Sequence, residues 1–278
     1  MICFPNAKIN LGLNITEKRS DGFHNIETVF YPIGWNDALE VVIRDSKQTD
    51  QNLKQEFNLH LSGLSISGNI EDNLLYKAYQ IIKQTKKLPY IDVYLHKNLP
   101  MGAGLGGGSA DAAFFINLLN EHLELKITKD ERINIARQLG SDCAFFINNK
   151  PVYAAEKGDM FSAISVDLSR YYIVVVYPNV HSNTKEAYSL VKPQQPKQSI
   201  PEILKLPIKQ WKDALVNDFE FSIFSKYPIV KEIKETLYQK GALYACMSGS
   251  GSAVFGIFEN EIDLNADFNF PIWSGKMM

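Results

Sequence analysis

Three cysteines are scattered through 278 residues, at Cys3, Cys143 and Cys246. An odd, dispersed set excludes a disulfide framework and a four-cysteine zinc site, and it suits a reducing cytoplasm. Small buried packing is their expected role. Positive charge is not in excess either. Lys and Arg number 29 against 31 Asp and Glu, a net charge of −2, so there is no basic footprint for nucleic acid. No apolar run approaches the ~20 residues of a membrane helix. The first residues, Met1-Ile2-Cys3-Phe4-Pro5-Asn6-Ala7-Lys8, lack the basic segment and apolar core of a secretion signal. No internal repeat, no clear linker and no His/Cys/carboxylate cluster with metal-ligand spacing is present. The remaining composition, 45% apolar and 22% charged, is that of a soluble globular chain.

Glycine is concentrated in one place. Residues 100 to 110 read Pro100-Met101-Gly102-Ala103-Gly104-Leu105-Gly106-Gly107-Gly108-Ser109-Ala110, with five glycines in eleven positions. The pattern Asp111-Ala112-Ala113-Phe114-Phe115-Ile116 follows and predicts a helix. A glycine turn that opens a helix presents free backbone N–H groups at the positive end of the helix dipole, a physical basis for holding phosphate.

Alternation predicts strands at 7–15, 57–61 and 91–95, the apolar run at 172–177 predicts a buried strand, and 28–33, 39–43, 151–155, 242–247 and 253–258 also read as strands. Along the first, Ala7, Ile9, Leu11, Leu13 and Ile15 share a buried face, while Lys8, Asn10, Gly12 and Asn14 share a polar one. Asp72 is expected to cap a helix running from Asn73 to Lys86. Thr128-Lys129-Asp130-Glu131 reads as a capping box for a helix ending at Gly140. Further helices are expected from Thr184, over 209–224 and over 228–240, with loops over 45–56 and 193–201. This mixture lacks strict βαβ alternation. It predicts an α+β protein with mixed and antiparallel sheets in two packed lobes, 1–160 and 161–278.

Three known phosphate loops can be tested against the glycine segment. A P-loop needs a Lys before its Ser/Thr, and none precedes Ser109. Gly102-x-Gly104-x-x-Gly107 formally matches a dinucleotide fingerprint. However, it lies about 100 residues into the chain, Pro100 interrupts the strand-to-loop join, and no acidic residue closes a second parallel strand about 20 residues on. A protein-kinase loop continues into a strand, whereas a helix follows here. A plain tight turn fits poorly too, because five glycines cost too much chain entropy.

The segment Pro100-x3-Gly104-Leu105-Gly106-Gly107-Gly108-Ser109-Ala110 resembles the signature of the GHMP kinases. The Gly-Gly-Gly-Ser version after Leu-Pro-Met is similar to the branch of that family whose acceptor is a CDP-linked methylerythritol in non-mevalonate isoprenoid synthesis. Three further segments match in order. They are Pro5-Asn6-Ala7-Lys8-Ile9-Asn10-Leu11 with Arg19-x-Asp21-Gly22-Phe23-His24, then Leu139-Gly140-Ser141-Asp142, then Met247-Ser248-Gly249-Ser250-Gly251-Ser252. Two positions depart from the commonest pattern: Ala103 replaces a frequent glycine, and Asn148-Asn149-Lys150 replaces a turn that more often contains one. The resemblance implies a two-lobed kinase fold with its active site in the cleft between lobes, an ATP-binding N-terminal lobe, and ATP with Mg²⁺ as cofactors. It also implies a small-molecule substrate, a cytoplasmic location and a monomer or weak homodimer.

Phosphoryl transfer to an alcohol needs an aligned hydroxyl, charge neutralisation and a place for the proton. Lys8, beside Asn10 on a strand's polar face, and Asp142, at a helix start, are residue types that can supply these. Taken alone, Lys8 could simply be solvated and Asp142 could be an N-cap. The resemblance implies Asp142 as base and Lys8 as its partner. It also implies ATP-phosphate contacts from residues 100–110, including a phosphate or Mg²⁺ contact from Ser109. The adenine pocket would involve Asn73, Leu74 and Lys97. The cytidine site would involve Phe23, His24, Thr184 and Tyr188, and Asn10, Ser248 and Gly249 would lie near the substrate. By residue type alone, Phe23 belongs in a core and His24 on a surface. Alternatives are another GHMP kinase acting on homoserine or mevalonate, a non-catalytic GHMP-fold metabolite sensor, and a NAD-binding oxidoreductase.

Overall fold

Apolar alternation at Ile91, Val93 and Leu95, and at Leu39 and Val41, buries one face of two adjacent strands. A computed structural model describes residues 1–44, 56–66, 68–182 and 187–278. Its contacts divide the chain into two units that interleave along the sequence. The first comprises residues 1–6, 36–100 and 107–148, and the second comprises 7–35, 101–106 and 149–278. The lobes expected from chain order, 1–160 and 161–278, describe a different kind of division.

The first unit contains a sheet of β1 (Ile2–Cys3), β4 (Ala38–Ile43), β6 (Ile91–Lys97) and β5 (Phe57–Gly63), in that order. β4 pairs antiparallel with β1 and β6, and β5 pairs parallel with β6. Among the described residues, four α-helices accompany it: α1 (Leu74–Lys83), α2 (Gly107–His122), α3 (Lys129–Leu139) and α4 (Cys143–Asn148). α1 buries Leu75, Ala78, Tyr79 and Ile82, the i, i+3, i+4, i+7 stripe of an amphipathic helix. Its cap is Asn73, whose side chain accepts from Leu75 N–H, and not Asp72 as expected; the helix also ends earlier, at Lys83. The capping box at Thr128 and Glu131 is present.

The second unit contains two sheets. One orders β2 (Asn6–Lys18), β3 (His24–Asn36), β7 (Val152–Ala155) and β8 (Met160–Ala163). The other orders β10 (Tyr244–Met247), β11 (Val254–Phe258), β9 (Tyr172–Val176) and β12 (Ile272–Lys276). The helix Pro228–Gln239 buries Val230, Ile233 and Leu237 in a core shared with Val174, Val254 and Met247.

Two expectations need correction here. The run 209–224 is not one helix. A short 3₁₀ turn at Ile208–Gln210 and a helix at Glu220–Lys226 flank an irregular stretch, because Val216 O accepts from Leu13 N–H of β2 and Asp218 N–H donates to Leu13 O. β2 is also buried on both faces from Asn6 to Leu13 and on to Ile15, so its polar side chains must be satisfied internally. The C-terminal residues, which carry no sequence signal, form β12. It completes the sheet beside β9, and Trp273 stacks on Trp35 with ring centroids 6.1 Å apart.

Candidate active site

The glycine segment behaves as its composition dictates. α2 begins inside it, at Gly107. Gly104 has φ +77°, and a Cβ there would stand 2.0 Å from the Ser248 carbonyl oxygen. Only glycine fits that approach. The second glycine turn therefore lies directly against the first. Ser248 Oγ donates to Gly104 O at 2.8 Å, and Ala253 N donates to Ala103 O at 3.1 Å. Buried Asn217 braces the turn by donating to Met247 O and Gly249 O, both at 2.8 Å. Gly108 is different: nothing lies within 4 Å of the position a Cβ would take. An open backbone at the start of a 16-residue helix is the cradle geometry a phosphate needs.

Lys8 is 3% exposed, although it sits on the strand face read as polar. Its ammonium donates to Asn10 Oδ1 at 2.6 Å and lies 4.9 Å from the centre of the Phe30 ring. Its backbone N–H holds Leu105 O at 2.9 Å, which ties the strand to the glycine segment. Asn10 donates in turn to Thr28 Oγ1 at 2.9 Å. Gly249 completes this neighbourhood, since a Cβ there would meet Asn10 Oδ1 at 3.3 Å. Lys8, Asn10, Ser248, Gly249 and the 103–105 stretch are thus brought together within the second unit.

His24 and Tyr188 stack on each other, with centroids 4.6 Å apart and planes 17° apart. Partial burial, then the charge of Lys18, holds the His24 imidazole below its ordinary pKa, which favours the neutral ring. Phe23, a core residue by type, is 61% exposed, with Lys157 over its ring. Thr184 lies outside the described residues.

In the first unit, Asp142 is half-buried immediately before α4, and Ser141 Oγ donates to its carboxylate at 3.3 Å. Ser109, in the first turn of α2, hydrogen-bonds the Cys143 thiol. Burial pushes that thiol up to about 11. Asn73 spends its side-chain oxygen on the α1 cap, and Leu74 opens that helix.

Lys97 is fully buried. It continues the inward face of Ile91, Val93 and Leu95, so the period-2 pattern directs it inside. A buried ammonium needs counter-charge. It pairs with Asp37, and with Asp111 Oδ2 at 2.8 Å. Asp37 Oδ1 also accepts the N–H groups of Asn98 and Leu99, at 2.6 and 2.8 Å. Burial pushes the Asp111 carboxyl up to about 7, with Lys97 pulling it down and Asp37 pushing it up. Sequence reasoning missed Thr28, Asp37, Asp111 and Asn217. A signal for Asp111 existed: it is the only charged residue between Gly104 and Asn120, inside an apolar helix pattern.

Among the described residues, no group of three His, Cys, Asp or Glu side chains could hold a metal ion, and no helix is long and apolar enough to cross a membrane. Two family models match the sequence: GHMP kinases N terminal domain at residues 73–150, and GHMP kinases C terminal at residues 199–269. The chain is 52% identical to 4-diphosphocytidyl-2-C-methyl-D-erythritol kinase of Bacteroides fragilis, over 97% of this chain and 98% of that protein. It is 44% identical to the protein of the same name from Porphyromonas gingivalis, over 95% and 94% of the two chains. A crystal structure of 4-(cytidine 5'-diphospho)-2C-methyl-D-erythritol kinase superposes with a TM-score of 0.82 at 27% identity, covering 100% of this chain and 99% of the other. Homoserine kinase from Cytophaga hutchinsonii shares the fold, with a TM-score of 0.67 at 15% identity over 99% and 95% of the chains.

Proposed function

The chain belongs to the GHMP kinases, a family with an ATP-binding fold, and we propose from that premise that it phosphorylates the 2-hydroxyl of 4-diphosphocytidyl-2-C-methyl-D-erythritol at the expense of ATP. The step belongs to the non-mevalonate route to isoprenoid precursors and takes place in the cytoplasm. The observation that carries the kinase reading is a buried, internally tethered Lys8 bonded through its own backbone to a glycine segment that opens a helix.

In this reading the N–H groups around Gly107 and Gly108 hold the ATP phosphates. The acceptor oxygen attacks the γ-phosphorus, the bond to the β–γ bridging oxygen breaks, and ADP leaves. Asp142 takes the hydroxyl proton. The Lys8 ammonium stabilises the charge gathering on the transferred phosphoryl group, and Asn10 fixes its position. Ser109 and the backbone around Gly107 and Gly108 would receive the ATP phosphates together with magnesium, which would offset their negative charge. Asn73, Leu74 and the backbone at Lys97 border the adenine. The Lys97 side chain serves the Asp37 and Asp111 carboxylates instead.

The cytidine reading rests on the full-length identity to kinases of that name and on the paired His24 and Tyr188 rings. A neutral imidazole offers one donor and one acceptor to a pyrimidine edge, and an aromatic face can carry the base. Phe23 and Thr184 belong to the same proposal. A coupled ADP-release assay with CDP-methylerythritol, homoserine and mevalonate tests it. Turnover with the first alone is expected. Turnover only with an acceptor lacking cytidine would overturn the specificity.

A further inference from the structure

Thr28 is wholly buried in β3, and its hydroxyl lies between Asn10 and the Gly12 carbonyl. Its hydrogen bonds can run in only one sense. The Gly12 carbonyl only accepts, so the Thr28 hydroxyl must give it its single proton, at 2.6 Å. The hydroxyl's lone pairs then face Asn10 at 2.9 Å, which requires the amide nitrogen of Asn10 on that side. The Asn10 oxygen is thereby turned to Lys8, whose ammonium can only donate and lies 2.6 Å away. Read from the other end, the chain has the same polarity. Ser248 does not compete for the Asn10 oxygen: its hydroxyl lies 3.5 Å from it and 2.8 Å from Gly104 O, where its proton goes.

We infer that Thr28 is a positioning residue for the phosphoryl-transfer step: by fixing the amide of Asn10, it fixes the ammonium of Lys8. This rests on the assignment of Lys8 under the proposed function. The physical need is clear. A lysine ends four flexible carbons from its backbone, and an unanchored ammonium must reorganise during the reaction. Here the far end of the side chain is tied to the Gly12 backbone through two uncharged groups. The backbone next to Gly12 is held on both sides, since Leu13 N–H donates to Val216 O and Leu13 O accepts from Asp218 N–H, both at 2.8 Å. The tether ends on rigid scaffold.

Thr28→Val keeps the volume and removes the donor and acceptor, whereas Thr28→Ser keeps both. Thr28→Val is expected to lower kcat about tenfold or more while KM for ATP stays within about twofold, and Thr28→Ser to recover kcat to within about threefold of wild type. In an Asn10→Ala background, Thr28→Val should have little further effect on kcat, because its route to Lys8 is already cut. Should the Val variant fail to fold, Thr28→Ala must lose kcat in the same way. Wild-type kcat in the Val or Ala variant, or equal losses in the Ser and Val variants, would overturn the inference. So would full additivity with Asn10→Ala. An atomic-resolution crystal structure of Thr28→Val or Thr28→Ala adds a readout independent of turnover. The Asn10 amide should rotate away from Lys8, and an unmoved amide would overturn the role of Thr28. If wild type turns over none of the three acceptors, the functional reading fails, while the crystallographic result still decides the tether.

Discussion

Lys97→Met removes the cation from a buried ion cluster. The ammonium it removes is the only cation bonded to Asp37 and Asp111 among the described residues, and the two carboxylates are 0% and 4% exposed. Removing one partner from a buried ionic cluster costs about 3–5 kcal/mol, because the remaining charges keep their desolvation penalty. That loss should also depend on pH, with a definite sign. Asp111 is raised in the folded state from 3.8 to about 7. A raised carboxyl contributes stability that is fully present below the unfolded pKa and is lost as pH rises through the folded one. In the wild type that decline is complete near pH 7. In the variant the downward pull of Lys97 is gone, so the folded carboxyl rises further and the decline continues above pH 7. The difference between variant and wild type should therefore grow by about 1.4 kcal/mol per pH unit there, or about 2 kcal/mol between pH 7 and 8.5. Urea unfolding followed by far-ultraviolet circular dichroism at pH 5.5, 7 and 8.5 measures this, with hydrogen exchange of the α2 amides as a local readout. A loss below about 1 kcal/mol, or one that does not change with pH, would refute the assignment of this cluster as an ionic clamp.

Gly108→Ala separates stability from binding. A Cβ there meets nothing, so stability should hold or rise by up to about 1 kcal/mol by calorimetry, while KM for ATP rises about tenfold or more if phosphate sits on that backbone. Gly104→Ala should do the reverse of holding stability. Its left-handed φ alone costs about 1–2 kcal/mol and its Cβ overlaps the Ser248 carbonyl, so a thermal midpoint equal to wild type would contradict the interlocked turns. Asp142→Ala and Lys8→Ala should each cut kcat by about two orders of magnitude or more, with ATP binding retained in a calorimetric titration. Normal turnover in Asp142→Ala would remove it as the base. KM for the acceptor should rise as pH falls below the lowered pKa of His24, because the protonated ring loses its acceptor, and His24→Gln should flatten that rise.

Local patterns are legible in a sequence because they need no partner. The strands at 39–43, 91–95 and 172–177, the Thr128 capping box, and the glycine turn that opens a helix at Gly107 all follow from period, cap and backbone freedom. The run 209–224 misled because its apolar spacing suits a helix, while the backbones of Val216 and Asp218 bond instead to Leu13 in β2. β12 was invisible because its residues alternate poorly and owe their strand to pairing with β9.

At the candidate site the division is sharper. The sequence alone identified a glycine turn that opens a helix, and it supplied Lys8, Asn10 and His24 as chemistry without a setting. Tertiary structure alone decided that Lys8 is buried and tethered, that His24 lies face to face with Tyr188, and that the 248–252 turn braces the 103–105 stretch. It also decided that Lys97, two residues beyond Leu95 on an inward face, is held by Asp37 and Asp111, which lie 60 and 14 residues away in the chain. The physical reason is the range of the forces. Periodicity, capping and glycine freedom act within a few residues, and so are written in order along the chain. A buried polar group is satisfied by whatever the fold brings within about 3 Å, and that neighbour can come from anywhere in the sequence.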